Sequence, residues 1–434
     1  MTGGRRRAFL PQHLVRQWAR TGDLVRYGAA LVGTAGSSGA QFVLTIALLR
    51  RMPPDGFGRY TFLMIVSQLV WGLGGALFAA PLAKLAAGGS GEGGARAAKA
   101  VIRLQPWFAL ACSLVAFAVA VAIGAAALAS FVFALLVASG GLRQFLRIAG
   151  YSKGRQGRVV LSDALYTACV LVLTGWLYWI GNQDLVLVLG ILAAAHILGT
   201  LPLAWLILER GDGIGSRSAV VAYRAIWRDY AGWSLVGLIA TETTGNAHSY
   251  IVTAVAGPMG FSAIAASTVL SKPATVAMNA LSELERARMA RFHAEGALDR
   301  LLSTRRLFRA MVLLLWLGTV VLTYLALHVW PAQFFHDRYD LTALRTAGWL
   351  WVLAMLVRCW CLPEAMEMQA RGAFDRLAST RFIAAPISLV GSLLAVLIAA
   401  PEWSMLAICA GEGVSTALLM RAFRRLGRTE SESR

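Results

Sequence analysis

Apolar runs separated by short polar stretches occupy most of the chain, and their lengths indicate how the chain folds. Arg103 and Arg143 bracket 39 consecutive uncharged residues. A single helix of that length would measure about 58 Å, roughly twice the thickness of the hydrocarbon core of a bilayer. The run must therefore turn, and we expect the turn between Gly124 and Ser130. The pattern predicts two membrane-spanning helices whose basic ends lie on the same side.

The same reasoning predicts twelve membrane-spanning helices in the whole chain. Between Arg381 and Arg421 lie 39 residues without Lys or Arg, and Pro401-Glu402-Trp403 marks their turn. The fold class is therefore an all-α membrane protein with about twelve transmembrane helices. The predicted spans are Arg26–Leu49, Phe57–Ala83, Leu104–Ala125, Leu128–Leu146, Val159–Ile180, Leu185–Leu208, Ala231–Val255, Phe261–Leu284, Leu307–Val329, Thr342–Pro363, Phe382–Ala400 and Trp403–Phe423.

Composition and charge support this placement and orient the helices. The chain is 58% hydrophobic and 15% charged, with a mean hydropathy of +0.62, whereas a soluble chain of this size carries more charge. With both termini in the cytoplasm, 34 of the 41 Lys and Arg residues lie on the cytoplasmic side, as the positive-inside rule requires. The net charge of +19 thus reflects topology and contact with anionic membrane lipids, and no nucleic-acid partner is expected. The predicted outer side carries five arginines, Arg50, Arg51, Arg59, Arg338 and Arg345.

An internal repeat divides the predicted spans into two sets of six. Pro54-Asp55-Gly56-Phe57 in the first outer turn matches Pro258-Met259-Gly260-Phe261 in a later one, 204 residues further on. Parallel repeats of this kind suit alternating access, in which two bundles rock about a shared cavity. The expected domains are a basic arm with an interfacial helix (1–24), a first six-helix bundle (25–208), a linker with an interfacial helix (209–230), a second six-helix bundle (231–424) and a tail (425–434).

The start of the chain resembles a known family. Gly33-Thr34-Ala35-Gly36 precedes an apolar stretch that ends in Leu48-Leu49-Arg50-Arg51-Met52-Pro53-Pro54-Asp55-Gly56-Phe57-Gly58-Arg59-Tyr60. This order of motifs resembles the opening of Wzx-type polysaccharide flippases, which belong to the multidrug/oligosaccharidyl-lipid/polysaccharide (MOP) exporter superfamily. The repeat at Pro258 echoes the motif, and Ala370-Arg371-Gly372 is similar to a further segment of that family.

The resemblance implies both a fold and a function. Members of the family are V-shaped pairs of bundles, MATE-like in architecture, in the bacterial inner membrane. They move undecaprenyl-diphosphate-linked oligosaccharides from the cytoplasmic to the periplasmic leaflet for the assembly of O-antigen, capsule or exopolysaccharide. The expected partners are the lipid-linked oligosaccharide, membrane lipids and the polysaccharide polymerase machinery. Two alternatives remain open: an ion-coupled, MATE-like small-molecule or multidrug exporter, and a membrane glycan polymerase or ligase.

Charged residues inside the predicted spans are the first candidates for a site, because a charge at mid-bilayer is costly unless it meets a partner or a wet cavity. Lys272 and Glu242 lie equally deep in neighbouring spans. They either form a structural ion pair, or Lys272 attracts a lipid diphosphate while Glu242 binds a coupling cation. Gln68 occupies the position equivalent to Lys272 and is assigned to the substrate site. Asn246 is four residues from Glu242 and shares its face.

Arginines at the cytoplasmic ends of the first bundle form a second group of candidates. Arg143, Arg147 and Arg103 could line a basic inner vestibule that binds an anionic substrate, since guanidinium groups suit phosphate geometry. Ordinary snorkelling to the interface is the alternative for each of them, and Asp163 could neutralise one. Glu412, deep in the last span, is a further candidate for ion coupling.

The expected energy source follows from the motifs that the sequence lacks. It contains no GxxxxGK[ST] loop for nucleotide phosphates, no zinc signature and no catalytic Ser or Cys motif. We therefore expect a transporter that is not an enzyme and binds no cofactor. An H+ or Na+ gradient is the candidate driving force.

Overall fold

The computed structural model describes residue 33 and residues 35–87, 92–205 and 215–432, and all regular structure in these ranges is helical. The predicted basic arm and part of the linker lie outside the described residues. The helices are α1 (residues 35–51), α2 (Pro54–Gly74), α3 (Glu92–Ala122), α4 (Ala127–Ser152), α5 (Gln156–Ile180), α6 (Leu185–Thr200), α7 (Ser216–Ile226), α8 (Gly232–Ala294), α9 (Leu298–Tyr324), α10 (Leu341–Ala370), α11 (Phe374–Ile398) and α12 (Ser404–Glu432).

Helix α8 is two membrane-spanning helices joined at a glycine. It has 63 residues, about three times the number needed to cross a bilayer. Gly257 breaks it with φ 71° and ψ 177°, a conformation that a residue with a side chain rarely adopts. We call the two parts α8a (residues 232–256) and α8b (residues 258–294). In the described ranges ten helices are long and apolar enough to span a membrane, with α8 taken as one; splitting α8 and adding α1 agrees with the predicted twelve.

Several helices extend beyond the apolar stretches from which they were predicted. Helix α8b continues to Ala294 rather than ending at Leu284, and α12 continues through the predicted tail to Glu432. Charged residues are good helix formers, and pairs such as Glu285–Arg288 at 2.8 Å support the extra turns of α8b. Helix α6 is shorter than predicted because it ends in a 3-10 turn that contains Pro202.

Two groups of six helices pack separately and meet along a narrow seam. In the first half α4 packs against α3 and α6, and α5 packs against α6. In the second half α8 packs against α9, α10 and α11, while α12 packs against α10 and α11. Between the halves, α2 packs against α8. The internal repeat therefore corresponds to a structural division.

The distribution of buried apolar side chains shows how the halves are arranged. We call the end that carries most arginines the basic end, and the opposite end, where Gly257 lies, the far end. At the far end one core contains residues of both halves, among them Phe57, Leu63, Phe261 and Leu344. Towards the basic end the cores are separate, with Phe145 in one half and Phe308 in the other. The apolar cores of the two halves are thus continuous at the far end and separate towards the basic end.

The matched turns of the repeat contact each other at the far end. Phe57 and its counterpart Phe261 are both fully buried. A Cβ atom placed on Gly58 would lie 3.4 Å from Cβ of its counterpart Ser262 and 2.1 Å from the Pro258 carbonyl oxygen. Contact between equivalent residues is what a rotation axis between α2 and α8b produces, so the repeat inferred from the turns is present in the fold.

Candidate functional site

Lys272 lies on the seam between the two halves. It is 15 residues beyond Gly257 in α8b, which places it about 22 Å along the helix. Its Nζ lies 3.5 Å from Oγ1 of Thr45 in α1 of the other half. Thr45 is 2% exposed and donates in turn to the carbonyl oxygen of Gln41 at 2.7 Å. Among the described residues no carboxylate forms an ion pair with Lys272, so its charge is not neutralised by the protein there.

Glu242 has partners on its own helix. Its Oε1 accepts hydrogen bonds from Nδ2 of Asn246 at 3.0 Å and from the hydroxyl of Tyr250 at 2.6 Å. The prediction that Asn246 shares a face with Glu242 is confirmed. The described part of the structure contains no Glu242–Lys272 ion pair: Lys272 points to α1, while the helix face of Glu242 points to α2.

Two contacts with α2 define the direction of the Glu242 face. Leu238, one turn before Glu242, would meet a Cβ atom on Gly72 at 3.0 Å. Tyr250, two turns after Glu242, meets Phe62 edge-on with ring centroids 6.0 Å apart. Glu242 lies between these contacts, opposite the stretch of α2 that contains Gln68. The side chain of Gln68 is exposed, and it lies 14 residues after Pro54, as Lys272 lies 14 residues after Pro258.

A series of polar contacts runs from α1 to α5 and α4, inside the first half. Nε2 of Gln41 donates to the hydroxyl of Tyr166 at 2.7 Å. The guanidinium of Arg143 lies 4.3 Å from the centroid of the Tyr166 ring, a cation–π distance. Because Gln41 and Thr45 are one turn apart on α1, this series of contacts connects Lys272 with Arg143. The sequence analysis missed Gln41, Thr45 and Tyr166; polar residues spaced by four in an apolar span were the available signal.

Arg143 and Arg147 bind the same carboxylate. Arg143 Nη2 lies 2.6 Å from Asp163 Oδ1, and Arg147 Nε lies 2.8 Å from the same oxygen. Arg143 was predicted as a possible lining residue of a basic inner vestibule, but it is only 5% exposed. Helix α6 encloses it, since a Cβ atom on Gly199 would lie 2.7 Å from Arg143 Nε. Arg147 is partly exposed and Arg103 is exposed, so only these two retain access to solvent at the basic end.

Glu412 is part of an ion-paired cluster inside the second half. Its side chain is fully buried. Arg358 Nη2 of α10 lies 2.7 Å from Oε1, and Arg381 Nη1 of α11 lies 2.9 Å from both carboxylate oxygens. Three helices are thereby joined, and removal of one member of such a buried cluster is costly. Ion coupling through Glu412 would require two guanidinium groups to leave it, so that role stays a prediction.

No group of three His, Cys, Asp or Glu side chains in the described ranges could hold a metal ion. The arrangement offers different chemistry: the partly buried amine of Lys272 at the seam, and the carboxylate of Glu242, which accepts two hydrogen bonds, at similar depth. The amine can attract an anion and the carboxylate can attract a cation. Both face the surface along which the two halves meet.

The sequence matches no protein-family model, and it matches no curated protein. Solved structures do match the fold. An inward-facing multidrug resistance MATE family transporter of the MOP superfamily aligns with a TM-score of 0.68 and 13% identity, covering 92% of this chain and 96% of that chain. The lipid II flippase MurJ in an inward closed conformation aligns with a TM-score of 0.61 and 12% identity, covering 91% and 87%.

This chain has the fold of MOP-superfamily transporters. An outward-facing structure of a multidrug resistance MATE family transporter gives a TM-score of 0.58 at 14% identity, covering 94% of this chain and 96% of that chain. The higher score against the inward-facing form agrees with the distribution of cores, which join at the far end and separate at the basic end.

Proposed function

We propose that this chain is a flippase for a lipid-linked oligosaccharide. The substrate is an undecaprenyl-diphosphate-linked repeat unit, which it moves from the cytoplasmic to the periplasmic leaflet of the bacterial inner membrane by alternating access. The product then enters polysaccharide assembly, with a polymerase as the downstream partner. The fold shared with MOP-superfamily transporters, the similarity to the structure of the lipid II flippase MurJ and the position of Lys272 support this function.

Lys272 is the observation on which the proposal rests. A partly buried amine that forms no ion pair with a carboxylate of the described residues favours binding of an anion, because the anion supplies the compensating charge. A diphosphate is such an anion, and it lies at the junction of lipid and sugar in the proposed substrate. Lys272 also lies where α8b meets α1, so a bound diphosphate contacts both halves and responds to their relative movement.

Glu242 is the proposed site for the coupling cation. A carboxylate that accepts two hydrogen bonds and faces the seam can bind H+ or Na+ and change its contacts when the halves move. Glu242 faces α2 whereas Lys272 faces α1, so the two binding events occur at different places along the seam. Coupling then requires no nucleotide.

The second candidate is an ion-coupled exporter of cationic small molecules. The specific observation in its favour is Glu242 itself, which could bind a cationic substrate rather than a coupling ion. The matches to multidrug resistance MATE family transporters are consistent with this function as well. A glycan polymerase or ligase has no comparable support from the fold.

One complementation experiment separates the two candidates. In a strain that lacks the gene, we expect undecaprenyl-linked glycan to accumulate on the inner leaflet and the wild-type chain to relieve it. Lys272→Ala should reduce flipping by about tenfold or more, the loss expected from one charge-assisted contact, and Lys272→Arg should restore part of it. Lys99→Ala, which removes an exposed lysine of α3, is the matched control.

The result against the proposal is equally specific. If Lys272→Ala is expressed and flips glycan as well as Lys99→Ala does, the role of Lys272 fails. Unchanged glycan in the deletion strain, together with altered sensitivity to cationic drugs that Glu242→Gln reproduces, would establish the exporter instead.

A further inference from the structure

A basic cavity lies at the far end, on the seam between the two halves. Its volume is about 480 Å³, within the range of cavities that hold small ligands. The first half contributes the C-terminal ends of α1 and α5, and the second half contributes the loop between α9 and α10. The lining residues are Arg50, Arg51, Tyr178, Gly181, His336 and Arg338.

The lining carries positive charge without a compensating carboxylate. Among the residues that the structure describes, Arg50, Arg51 and Arg338 form no ion pair with Asp or Glu. No Asp or Glu lines the cavity. Cations placed together in this way repel one another, so an occupant that supplies negative charge would stabilise the cluster.

The other two far-end arginines are bound elsewhere. Arg59 Nε lies 3.0 Å from Oδ2 of Asp55, and the same arginine donates to the carbonyl oxygen of Gly124. Arg345 Nε donates to the carbonyl oxygen of Leu327 at 3.2 Å. The positive-inside rule disfavours the five arginines on the predicted outer side, and three of them, Arg50, Arg51 and Arg338, line this one cavity.

A contact across the seam holds the guanidinium group of Arg338 in place, and contacts within the first half hold that of Arg51. Arg338 Nη1 of the second half donates to the carbonyl oxygen of Arg51 in the first half at 2.8 Å. Arg51 lies 3.9 Å from the centroid of the Tyr178 ring and donates to the Tyr178 carbonyl oxygen at 3.2 Å. The negative end of the α1 dipole explains cations at the end of α1, but it does not explain a third arginine and a histidine that arrive from the other half.

The loop of the second half adopts an unfavourable conformation next to the cavity. His336 has φ 54° and Asp337 has φ 50°, both in the left-handed region that residues with side chains rarely adopt. Two such residues in succession carry a conformational cost, and strained backbone of this kind is found at ligand sites. Here it accompanies the placement of His336 and Arg338 in the lining.

We propose that this far-end cavity is an anion-binding site for a phosphate group, held by Arg50 and Arg51 of one half and by His336 and Arg338 of the other. Guanidinium groups bind phosphate oxygens through paired, charge-assisted hydrogen bonds. The phosphate can come from the headgroup of an anionic lipid in the adjacent leaflet or from a free phosphate ion. The site lies at the far end, whereas Lys272 lies deep in the membrane.

The position of the site gives it a conformational effect. Its lining comes from both halves, so it is complete only when the far end is closed. A ligand that binds the closed state better than the open state shifts the equilibrium towards the closed state. Bound phosphate would therefore stabilise closure of the far end. This inference goes beyond the proposed function and does not depend on which substrate is transported.

A binding measurement on the purified full-length protein tests the site. Inorganic phosphate is titrated calorimetrically in zwitterionic detergent at constant ionic strength. A second arm compares nanodiscs of phosphatidylcholine with and without phosphatidylglycerol, and uses spin labels at Asn182 and Gln333 to measure closure of the far end. We expect saturable binding of phosphate, or a larger population with the short Asn182–Gln333 distance when phosphatidylglycerol is present. In the double variant Arg50→Gln/Arg338→Gln, this response should be weakened by about tenfold or more.

The controls separate a specific site from general positive charge. Arg59→Gln removes a charge at the same end, and Arg300→Gln removes an exposed charge at the basic end. Arg338→Lys keeps the charge and should retain part of the binding, and size-exclusion profiles verify that each variant is folded. Binding in detergent identifies free phosphate as a ligand, whereas an effect confined to phosphatidylglycerol identifies the lipid headgroup. The proposal is overturned if neither arm responds, or if the double variant responds as Arg59→Gln does.

Discussion

Replacement of Gly58 by alanine should open the far end of this protein. Gly58 of α2 lies against the Pro258 carbonyl group of α8b, and a Cβ atom there would approach the oxygen to 2.1 Å and the carbonyl carbon to 3.0 Å. Both atoms belong to the backbone, so no side-chain rotation can relieve the overlap. Inserting a methyl group into such a packed contact costs about 1–3 kcal/mol.

The conformational consequence follows from where this cost is incurred. The contact between Gly58 and Pro258 joins the two halves at the closed far end, and separation of the halves there removes the overlap. The substitution therefore destabilises the state in which the far end is closed and does not affect the state in which it is open. A difference of about 1–3 kcal/mol changes the equilibrium between the two states by roughly 5- to 150-fold.

Spin-label distances between Asn182 and Gln333 measure this equilibrium in a variant whose five native cysteines are replaced. We expect Gly58→Ala to increase the population with the long far-end distance. Gly318→Ala in α9 is the matched control, because a Cβ atom there meets no atom within 4 Å, while the gain in helix propensity is the same. An unchanged distance distribution in a folded Gly58→Ala protein, or an equal change in Gly318→Ala, would refute the reasoning.

Two further predictions concern stability. Asp163→Asn leaves two arginines without their shared buried carboxylate, so we expect the protein to lose about 3–5 kcal/mol of stability and to melt at a lower temperature in detergent. The control, Asp375→Asn at an exposed position, should have little effect. Equal melting temperatures of the two variants would contradict the structural role of Asp163. Tyr223 of α7 donates to the carbonyl oxygen of Leu77 at 2.6 Å, and Tyr223→Phe should cost about 1 kcal/mol. Burial raises the pKa of Tyr223 to about 12, so the stabilisation by its hydroxyl is complete below pH 10 and is lost as pH rises towards 12. If the melting temperatures of wild type and Tyr223→Phe fall equally over that range, the Tyr223 hydroxyl does not stabilise the protein in this way.

The sequence was sufficient to predict the number of spans and the internal repeat. Arginines flanking 39 uncharged residues, as at Arg103 and Arg143, imply a hairpin because the bilayer has a fixed thickness. The turn at Pro54 and its match at Pro258 predicted the division into two halves, and the contact between Gly58 and Ser262 now accounts for the match. The orientation of the termini and the domain limits stay predictions.

The direction in which buried polar side chains point was decided by the tertiary structure. The apolar pattern reports how deep a residue lies, and it placed Lys272 and Glu242 correctly at equal depth. It does not report the azimuth, because in a membrane helix both the lipid-facing and the helix-facing sides are apolar. Only packing reveals that Lys272 faces Thr45, that Arg143 is enclosed with Asp163, and that arginines from both halves meet around the far-end cavity.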